Sequence, residues 1–364
     1  MKNSNIEPVE ISSINGNYFA TFHSELGSLE EAIKTKVDSF ILIDEQVSKT
    51  YQNLMTILPK ERYFIVESNE ENKSLSKVGE ICNWLMNMEA TKTSHLVAIG
   101  GGVIQDLSTF CSHIYYRGIK WSYVPTTLLS QADSCIGAKC ALNLNGHKNQ
   151  LGVVHTPSAV EIYSGFLKTL PFSEIQSGFG EIAKLAVTGE SQFLNDFEQY
   201  LEKYEFSTDN IDPLIRSSLL AKKFVIDQDE YESDLRRILN YGHSFGHALE
   251  ALTKNSVVHG DAVVVGMDLI NYIGFKLGIT SEDFHIEMTN LFKKYFHHIK
   301  ISKLISPEIW VNELKHDKKM QHGKMHFAIP ISTGDIRIYK MELDKDLINL
   351  VGEYIESSKY FHSA

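Results

Sequence analysis

The chain has 364 residues, 43% of them apolar and 22% charged, which is enough for two packed domains and too apolar for a disordered or fibrous class. Its formal charge of −11 excludes a broad surface for nucleic acid or anionic membrane, so an anionic ligand must meet a local basic pocket. Cys82, Cys111, Cys135 and Cys140 form no CxxC pair, which argues against a thiolate zinc site and a disulfide framework.

The N-terminus has no basic segment followed by an apolar run, and no apolar stretch approaches the ~20 residues that span a bilayer. A cytoplasmic protein with no membrane partner is expected. Up to about residue 170, the runs SFILID, RYFIVE, HLVAIG and IKWSYVP alternate with helical stretches such as SLSKVGEICNWLMNM. That alternation predicts a parallel sheet wrapped by helices.

Asp44 closes the first of these runs, where an acidic residue can bond a cofactor ribose or cap a turn. The segment HLVAIGGGVIQDLSTF reads as a buried strand ending at Gly100, Gly101 and Gly102, with a helix opening near Asp106. Glycines there let backbone N–H groups approach a pyrophosphate, and they also serve ordinary turn geometry. Next, VPTTLLSQADSCIGAKCALNLNGHKNQLG gathers Thr126, Thr127, Asp133, Lys139, Lys148 and Asn149 in a weakly periodic stretch. It reads as a binding surface more than as a packed element.

The span Pro157 to Pro171 holds the expected junction between domains 1–165 and 166–364. Beyond it come long amphipathic helical patterns, FSEIQSGFGEIAKLAV, DPLIRSSLLAKKFVIDQDEYE, RRILNYGHSFGHALEAL and HGDAVVVGMDLINYIGFKLG. On the first, Glu181 and Lys184 share a face, and Gly178 and Gly180 each cost about 1 kcal/mol against alanine, which suggests close approach of backbone or ligand. On the third, His243 and His247 have the spacing of a metal-binding helix, without a zincin's glutamate. Glu181, one of these histidines and His259 would give a carboxylate and two imidazoles with an open coordination position. His297, His298 and His362 read as solvated.

Taken together and in order, GGGVIQDL, YRGI, VPTTLLSQADSCIGAK, KNQLG, LKTLP, GEIAK, RRILNYGHSFGHALE, HGDAVVVGM and DKK resemble the 3-dehydroquinate synthases of the sugar phosphate cyclase family. The resemblance spans about residues 40 to 320. It implies an α/β fold, with an N-terminal Rossmann-like NAD-binding domain and a C-terminal, mostly α-helical metal- and substrate-binding domain. It also implies a homodimer and a catalytic zinc or cobalt held by Glu181, His243 and His259.

By the same resemblance, Lys139, Asn149, Lys184, Lys222, Arg236, Asn240, His247 and Lys318 hold substrate and manage protons. Asp133 joins this set, and Arg117 reaches the phosphate bound by the partner subunit. NAD is implied at Asp44, Glu70, Lys73, Gly101, Gly102, Val103, Ile104, Asp106, Thr126, Thr127, Lys139, Lys148, Phe166 and Thr169. The implied substrate is a small anionic sugar acid phosphate, 3-deoxy-arabino-heptulosonate 7-phosphate. Its reaction is a redox-neutral elimination of phosphate with transient use of NAD, closed by an intramolecular aldol step.

Gln105 and Ala138 stand where that family places glycine, NYGHSF replaces NLGHTF, and GVVH replaces an aromatic-containing run. These departures bear on cofactor fit and substrate. A cyclase acting on another sugar phosphate is the first alternative. A metal-dependent NAD alcohol or glycerol-phosphate dehydrogenase is the second, separated by lasting NADH. A non-catalytic NAD-binding scaffold is the third.

Overall fold

The computed structural model describes residues 6–58, 61–145, 147–232, 234–302, 305–317, 320–321 and 323–362. The chain divides into one unit of Met1–Pro171 with Thr208–Lys223 and another of Phe172–Ser207 with Phe224–Ala364. Compared with a boundary at 165/166, the division falls a few residues later and returns 208–223 to the first unit.

The first unit opens with strands β1 (Val9–Ile11) and β2 (Tyr18–Phe22), helix α1 (Leu26–Lys34) and strand β3 (Ser39–Asp44). Helices α2 (Glu45–Thr50) and α3 (Gln52–Ile57) lead to β4 (Tyr63–Val66), then α4 (Leu75–Asn87), β5 (His95–Gly100), α5 (Gly102–Ile114) and β6 (Lys120–Pro125). A hairpin of β7 (Lys139–Leu144) and β8 (His147–Val154) precedes β9 (Val160–Ile162). The sheet order is β1-β2-β9-β6-β5-β3-β4, parallel except for β1 with β2, and the hairpin stands apart from it.

Residues of β3 and β5 are buried on both sides, as expected of parallel strands between helical layers. Ile41, Ile43, Val97, Ile99 and Val124 pack with Leu29 and Ile33 of α1 and Leu54 of α3. Phe40, on the opposite side of β3, meets Trp84 of α4 edge to face at 5.7 Å. The chain leaves β3 to one side for β4 and then crosses to β5, so the carboxyl ends of β3 and β5 flank a topological switch point. α5 begins at Gly102, four residues before the Asp106 expected from sequence, because Gly101 already takes the extended N-cap conformation.

The stretch 126–138 is packed, contrary to the expectation of a binding surface. Leu128, Ser130, Gln131 and Ala132 are buried around a π-helical turn, Ser130–Ser134.

The second unit contains α6 (Phe172–Thr188), α7 (Ser191–Tyr204) and the end of α8 (Asp212–Ile226), then α9 (His243–Leu252), α10 (His259–Lys276) and α11 (Glu282–Tyr295). It continues through β10 (Ile301–Ser302), α12 (Pro307–Glu313), β11 (Met320–Gln321), β12 (Lys324–Ser332), β13 (Asp335–Glu342), α13 (Lys345–Ser357) and β14 (Phe361–His362). The run RRILNYGHSFGHALEAL is broken into a 3-10 turn, Leu235–Asn240, and α9, with Gly242 left-handed at φ 77° between them. His298 lies beyond the end of α11 and bonds Asp261 Oδ1 at 3.1 Å, so it is not simply solvated.

Candidate active site

Three helices of the second unit meet at glycines. An added Cβ on Gly180 of α6 would lie 2.3 Å from the Gly260 carbonyl oxygen, and one on Gly266 of α10 would lie 2.0 Å from the Gly242 carbonyl oxygen. α6, α10 and α9 therefore approach to backbone contact, which any larger side chain would prevent. This contact brings Glu181, His243 and His259 together.

Glu181 is 2% exposed, and its Oε1 lies 3.4 Å from His243 Nε2 and 3.0 Å from His259 Nε2. That oxygen accepts no hydrogen bond of regular geometry, an arrangement suited to donors aimed at a shared point rather than at one another. His243 Nδ1 lies 3.2 Å from the Tyr241 carbonyl oxygen, and His259 Nδ1 lies 3.0 Å from Glu250 Oε2. With Nδ1 of each ring donating to these oxygens, each Nε2 keeps its lone pair for a metal. The donor set fits a divalent cation such as zinc or cobalt.

Burial alone would raise the Glu181 carboxyl pKa, but the Lys184 ammonium and the His243 and His259 rings hold it well below the usual carboxylate range. Lys184 is equally buried and donates to Glu181 Oε2 at 2.6 Å, so the pair is an internal one and not a surface bridge. Burial would lower the His259 pKa, and the Glu181 and Glu250 carboxylates reverse this, raising it to about 10. A cation entering the site must displace that proton.

The imidazole nitrogens of His243, His247 and His259 lie within 4.8 Å of one another, so His247 is a rival ligand by distance. The His247 ring stands 5.3 Å from that of His243 and 5.6 Å from that of His259, and it is exposed. The buried Glu181 Oε1, which faces both Nε2 atoms without a hydrogen bond of regular geometry, is a candidate ligand beside exposed His247. Arg236 is buried, its backbone N–H bonds Asp229 Oδ2 at 3.0 Å and its Nη1 donates to the Glu230 carbonyl oxygen. Asn240 Nδ2 donates to Glu232 Oε1 at 2.7 Å. Lys318 lies outside the described residues.

In the first unit, Asp44 ends β3 and caps α2 by accepting from Val47 N–H at 2.9 Å. A Cβ on Gly100 would come 3.2 Å from Asp44 Cβ, and one on Gly101 3.0 Å from Thr127 Cγ2, so Asp44, the glycine turn and Thr127 form one edge. A Cβ on Gly102 would meet no protein atom within 4 Å, and α5 has no side-chain cap. The first turn of α5, with Val103 and Ile104, thus opens at an unobstructed glycine and has no side-chain cap on its N–H groups, which fits a dinucleotide's phosphates. The Thr126 N–H bonds the Gly100 carbonyl oxygen at 3.0 Å, and Thr169 meets the Tyr51 hydroxyl at 2.9 Å above the buried Phe166.

Asp106 does not line that turn freely. Its Oδ2 pairs with Lys73 at 2.7 Å and its Oδ1 accepts from the Ala141 N–H at 3.1 Å. Burial raises its carboxyl pKa despite Lys73. Lys73 also donates to Asn149 Oδ1 at 2.8 Å, while Asn143 donates to Glu70 Oε2 at 2.6 Å and accepts from the Asn149 N–H at 3.0 Å. Glu70, Lys73 and Asp106 thus form one network with Asn143 and Asn149 of the hairpin, where Lys139 opens β7 and exposed Lys148 lies on β8. Lys222 is buried and pairs with Asp133 Oδ1 at 2.6 Å. Arg117 is exposed in a left-handed turn whose carbonyls, those of Tyr116 and Gly118, accept from Lys92.

Two of the departures from the resembled pattern, those at glycine positions, have structural content. Gln105 exchanges hydrogen bonds with Ser134, at 2.6 Å each way, and Ala138 is left-handed at φ 59°. Sequence reasoning missed Glu250, which holds His259, and Asn143, which holds Asn149. Glu250 closes the quoted histidine motif three residues beyond His247, a signal that was available. Asn143 carried none.

The chain matches the family model described as 3-dehydroquinate synthase N-terminal over residues 63–177 and the one described as 3-dehydroquinate synthase C-terminal over residues 178–320. A 3-dehydroquinate synthase from Dictyoglomus turgidum is 36% identical over 317 residues, 86% of this chain and 88% of that protein. One from Alkaliphilus oremlandii is 34% identical over 342 residues, 92% and 93% of the two chains. In fold, the chain is similar to 2-deoxy-scyllo-inosose synthase complexed with carbaglucose-6-phosphate, NAD+ and Co2+, with a TM-score of 0.84 and 24% identity over 95% of this chain and 100% of that one.

Proposed function

The chain belongs to the 3-dehydroquinate synthase family, and we propose that it converts 3-deoxy-D-arabino-heptulosonate 7-phosphate to 3-dehydroquinate and inorganic phosphate, as a lyase of aromatic (shikimate) biosynthesis. The observation that carries the reading is the buried Glu181 Oε1, which faces Nε2 of both His243 and His259 without a hydrogen bond of regular geometry. Glu181, His243 and His259 would hold a zinc or cobalt ion, and the β3, β5 and β6 edge with the α5 N-terminus would hold NAD. When bound, the metal supplies Lewis acidity to a secondary alcohol and NAD a reversible hydride store, so one carbinol is oxidised and later re-reduced with no net consumption.

Lys184 keeps the Glu181 carboxylate ionised through its bond to Oε2 and presents a buried ammonium to an anionic substrate. The buried cations Lys222 and Arg236 have fixed partners, Asp133 and the Glu230 carbonyl oxygen, which hold them in place for a phosphate or carboxylate. His247 carries a proton on either ring nitrogen from the exposed side of the metal centre, and Asn240 orients the reacting sugar. By the family resemblance, Lys139, Asn149 and Lys318 would also hold anionic groups of the substrate. We further propose a cytoplasmic homodimer in which Arg117 of one subunit contacts the phosphate bound by its partner. No helix among the described residues is long and apolar enough to cross a membrane.

The test supplies purified protein with NAD, zinc or cobalt and the heptulosonate phosphate, and follows phosphate and NADH together. Phosphate release without lasting NADH is expected. Lasting NADH would mark a dehydrogenase, and neither product would sink the substrate assignment.

A further inference from the structure

The N-terminal unit contains a thiol pair that the proposed reaction does not use. Cys82 lies in the middle of α4 and Cys111 near the end of α5, with their Sγ atoms 3.5 Å apart. Cys111 is fully buried while Cys82 is half-buried, so Cys82 is the more accessible residue of the pair. The remaining thiols are committed elsewhere and enclosed: Cys135 donates to the Gln131 carbonyl oxygen and Cys140 to that of Asp106.

We propose that Cys82 and Cys111 form a peroxide-responsive pair that closes to an intramolecular disulfide joining α4 to α5. The Cys82 thiolate attacks a peroxide oxygen, the O–O bond breaks, and a sulfenic acid forms with loss of hydroxide. The Cys111 sulfur then attacks the Cys82 sulfur, the S–O bond breaks, and water leaves with the Cys111 proton. Two thiols are oxidised by two electrons in total and hydrogen peroxide is reduced to two waters.

The pair is asymmetric in the sense this chemistry needs. The contact with Cys111 lowers the Cys82 pKa, whereas the same contact and burial raise that of Cys111. Burial pushes Cys135 up to about 12, which leaves it inert. A disulfide needs the sulfurs at about 2.0 Å, a closure of about 1.5 Å that rotation of two side chains on adjacent helices can supply. Cys111 is nine residues along α5 from Gly102, about 13.5 Å at the helical rise, so the bond staples the two helices without reaching the glycine turn.

The full-length protein is treated with hydrogen peroxide, alkylated and mapped by mass spectrometry, with thermal melting alongside. The expected result is a Cys82–Cys111 linked peptide within single subunits, a melting midpoint raised by on the order of 5 °C, and reversal by dithiothreitol. Cys111→Ser should leave Cys82 on the sulfenic-to-sulfinic ladder with no rise in melting, and Cys82→Ala should make Cys111 unreactive. Sulfinic acid at Cys82 in the unsubstituted protein with Cys111 still alkylated, a subunit-to-subunit disulfide, or both thiols unchanged would each overturn the proposal.

Discussion

Replacing Gly180 with alanine sets two measurable effects against each other. Alanine is the better helix former, by about 1 kcal/mol at an interior position. Its Cβ would sit 2.3 Å from the Gly260 carbonyl oxygen, where ordinary contact begins at 3.4 Å, so α6 and α10 must part by 3.4 − 2.3, or 1.1 Å. Overpacking of that kind costs about 1–3 kcal/mol, which exceeds the propensity gain. Glu181 follows Gly180 and His259 precedes Gly260, so the separation falls on the 3.0 Å gap between the carboxylate and the imidazole. A metal site tolerates a few tenths of an ångström, so affinity for zinc or cobalt should fall at least about tenfold. The assay is denaturant unfolding of metal-free protein with a chelator-competition titration, and Gly79→Ala is the control. Gly79 lies exposed inside α4 with no atom within 4 Å of its built Cβ, so alanine there should stabilise by about 1 kcal/mol. If Gly180→Ala is stabilised like the control and binds metal unchanged, the close-contact reasoning is wrong.

Glu250→Gln should weaken metal binding about 10–100-fold in the same titration, and lower metal-free stability near neutral pH through the lost His259 pair, because Glu250 holds His259 Nδ1; equal affinity would remove Glu250 from the centre. Ala138→Gly should not lower stability despite the lost buried methyl, since Ala138 sits at φ 59°, where a Cβ costs about 1–2 kcal/mol; a loss above about 1 kcal/mol would contradict the strain. Burial, aided by Lys36 and Lys120, lowers the pKa of His95 from 6.5 to about 4. A lowered folded pKa means the unfolded chain takes the proton first, so stability is complete above about pH 6.5 and declines as pH falls towards 4. The loss is up to about 3 kcal/mol. His95→Gln should flatten the unfolding free energy over that window; an unchanged slope would assign it to other groups.

The parallel sheet was legible because its strands are continuous β-branched runs, a pattern imposed by burial on both faces. Glu181 and Lys184 were legible as neighbours on a face but not as a buried pair, because burial depends on α9 and α10 closing over them. The break in the histidine helix was written in Gly242 yet masked by a continuous amphipathic pattern on both sides. The β12 and β13 hairpin also had a sequence signal, two alternating runs joined by Thr333 and Gly334, overlooked among stronger helical patterns. Packing of the stretch 126–138 was not legible, because its buried polar groups find their partners only in three dimensions, as Gln131 Nε2 does at the Pro125 and Tyr163 carbonyl oxygens. The Glu70, Lys73, Asp106 and Asn149 network joins residues far apart in the chain, and Asp106 in particular answers to Lys73.

The central claim is that Glu181, His243 and His259 hold the metal while His247 serves the substrate. Elemental metal analysis of His243→Ala and His247→Ala, each purified from metal-supplemented medium and dialysed, tests it most directly. The account predicts that His243→Ala retains no zinc or cobalt and that His247→Ala retains the full complement while turnover is lost. Metal lost from His247→Ala and kept by His243→Ala would contradict it.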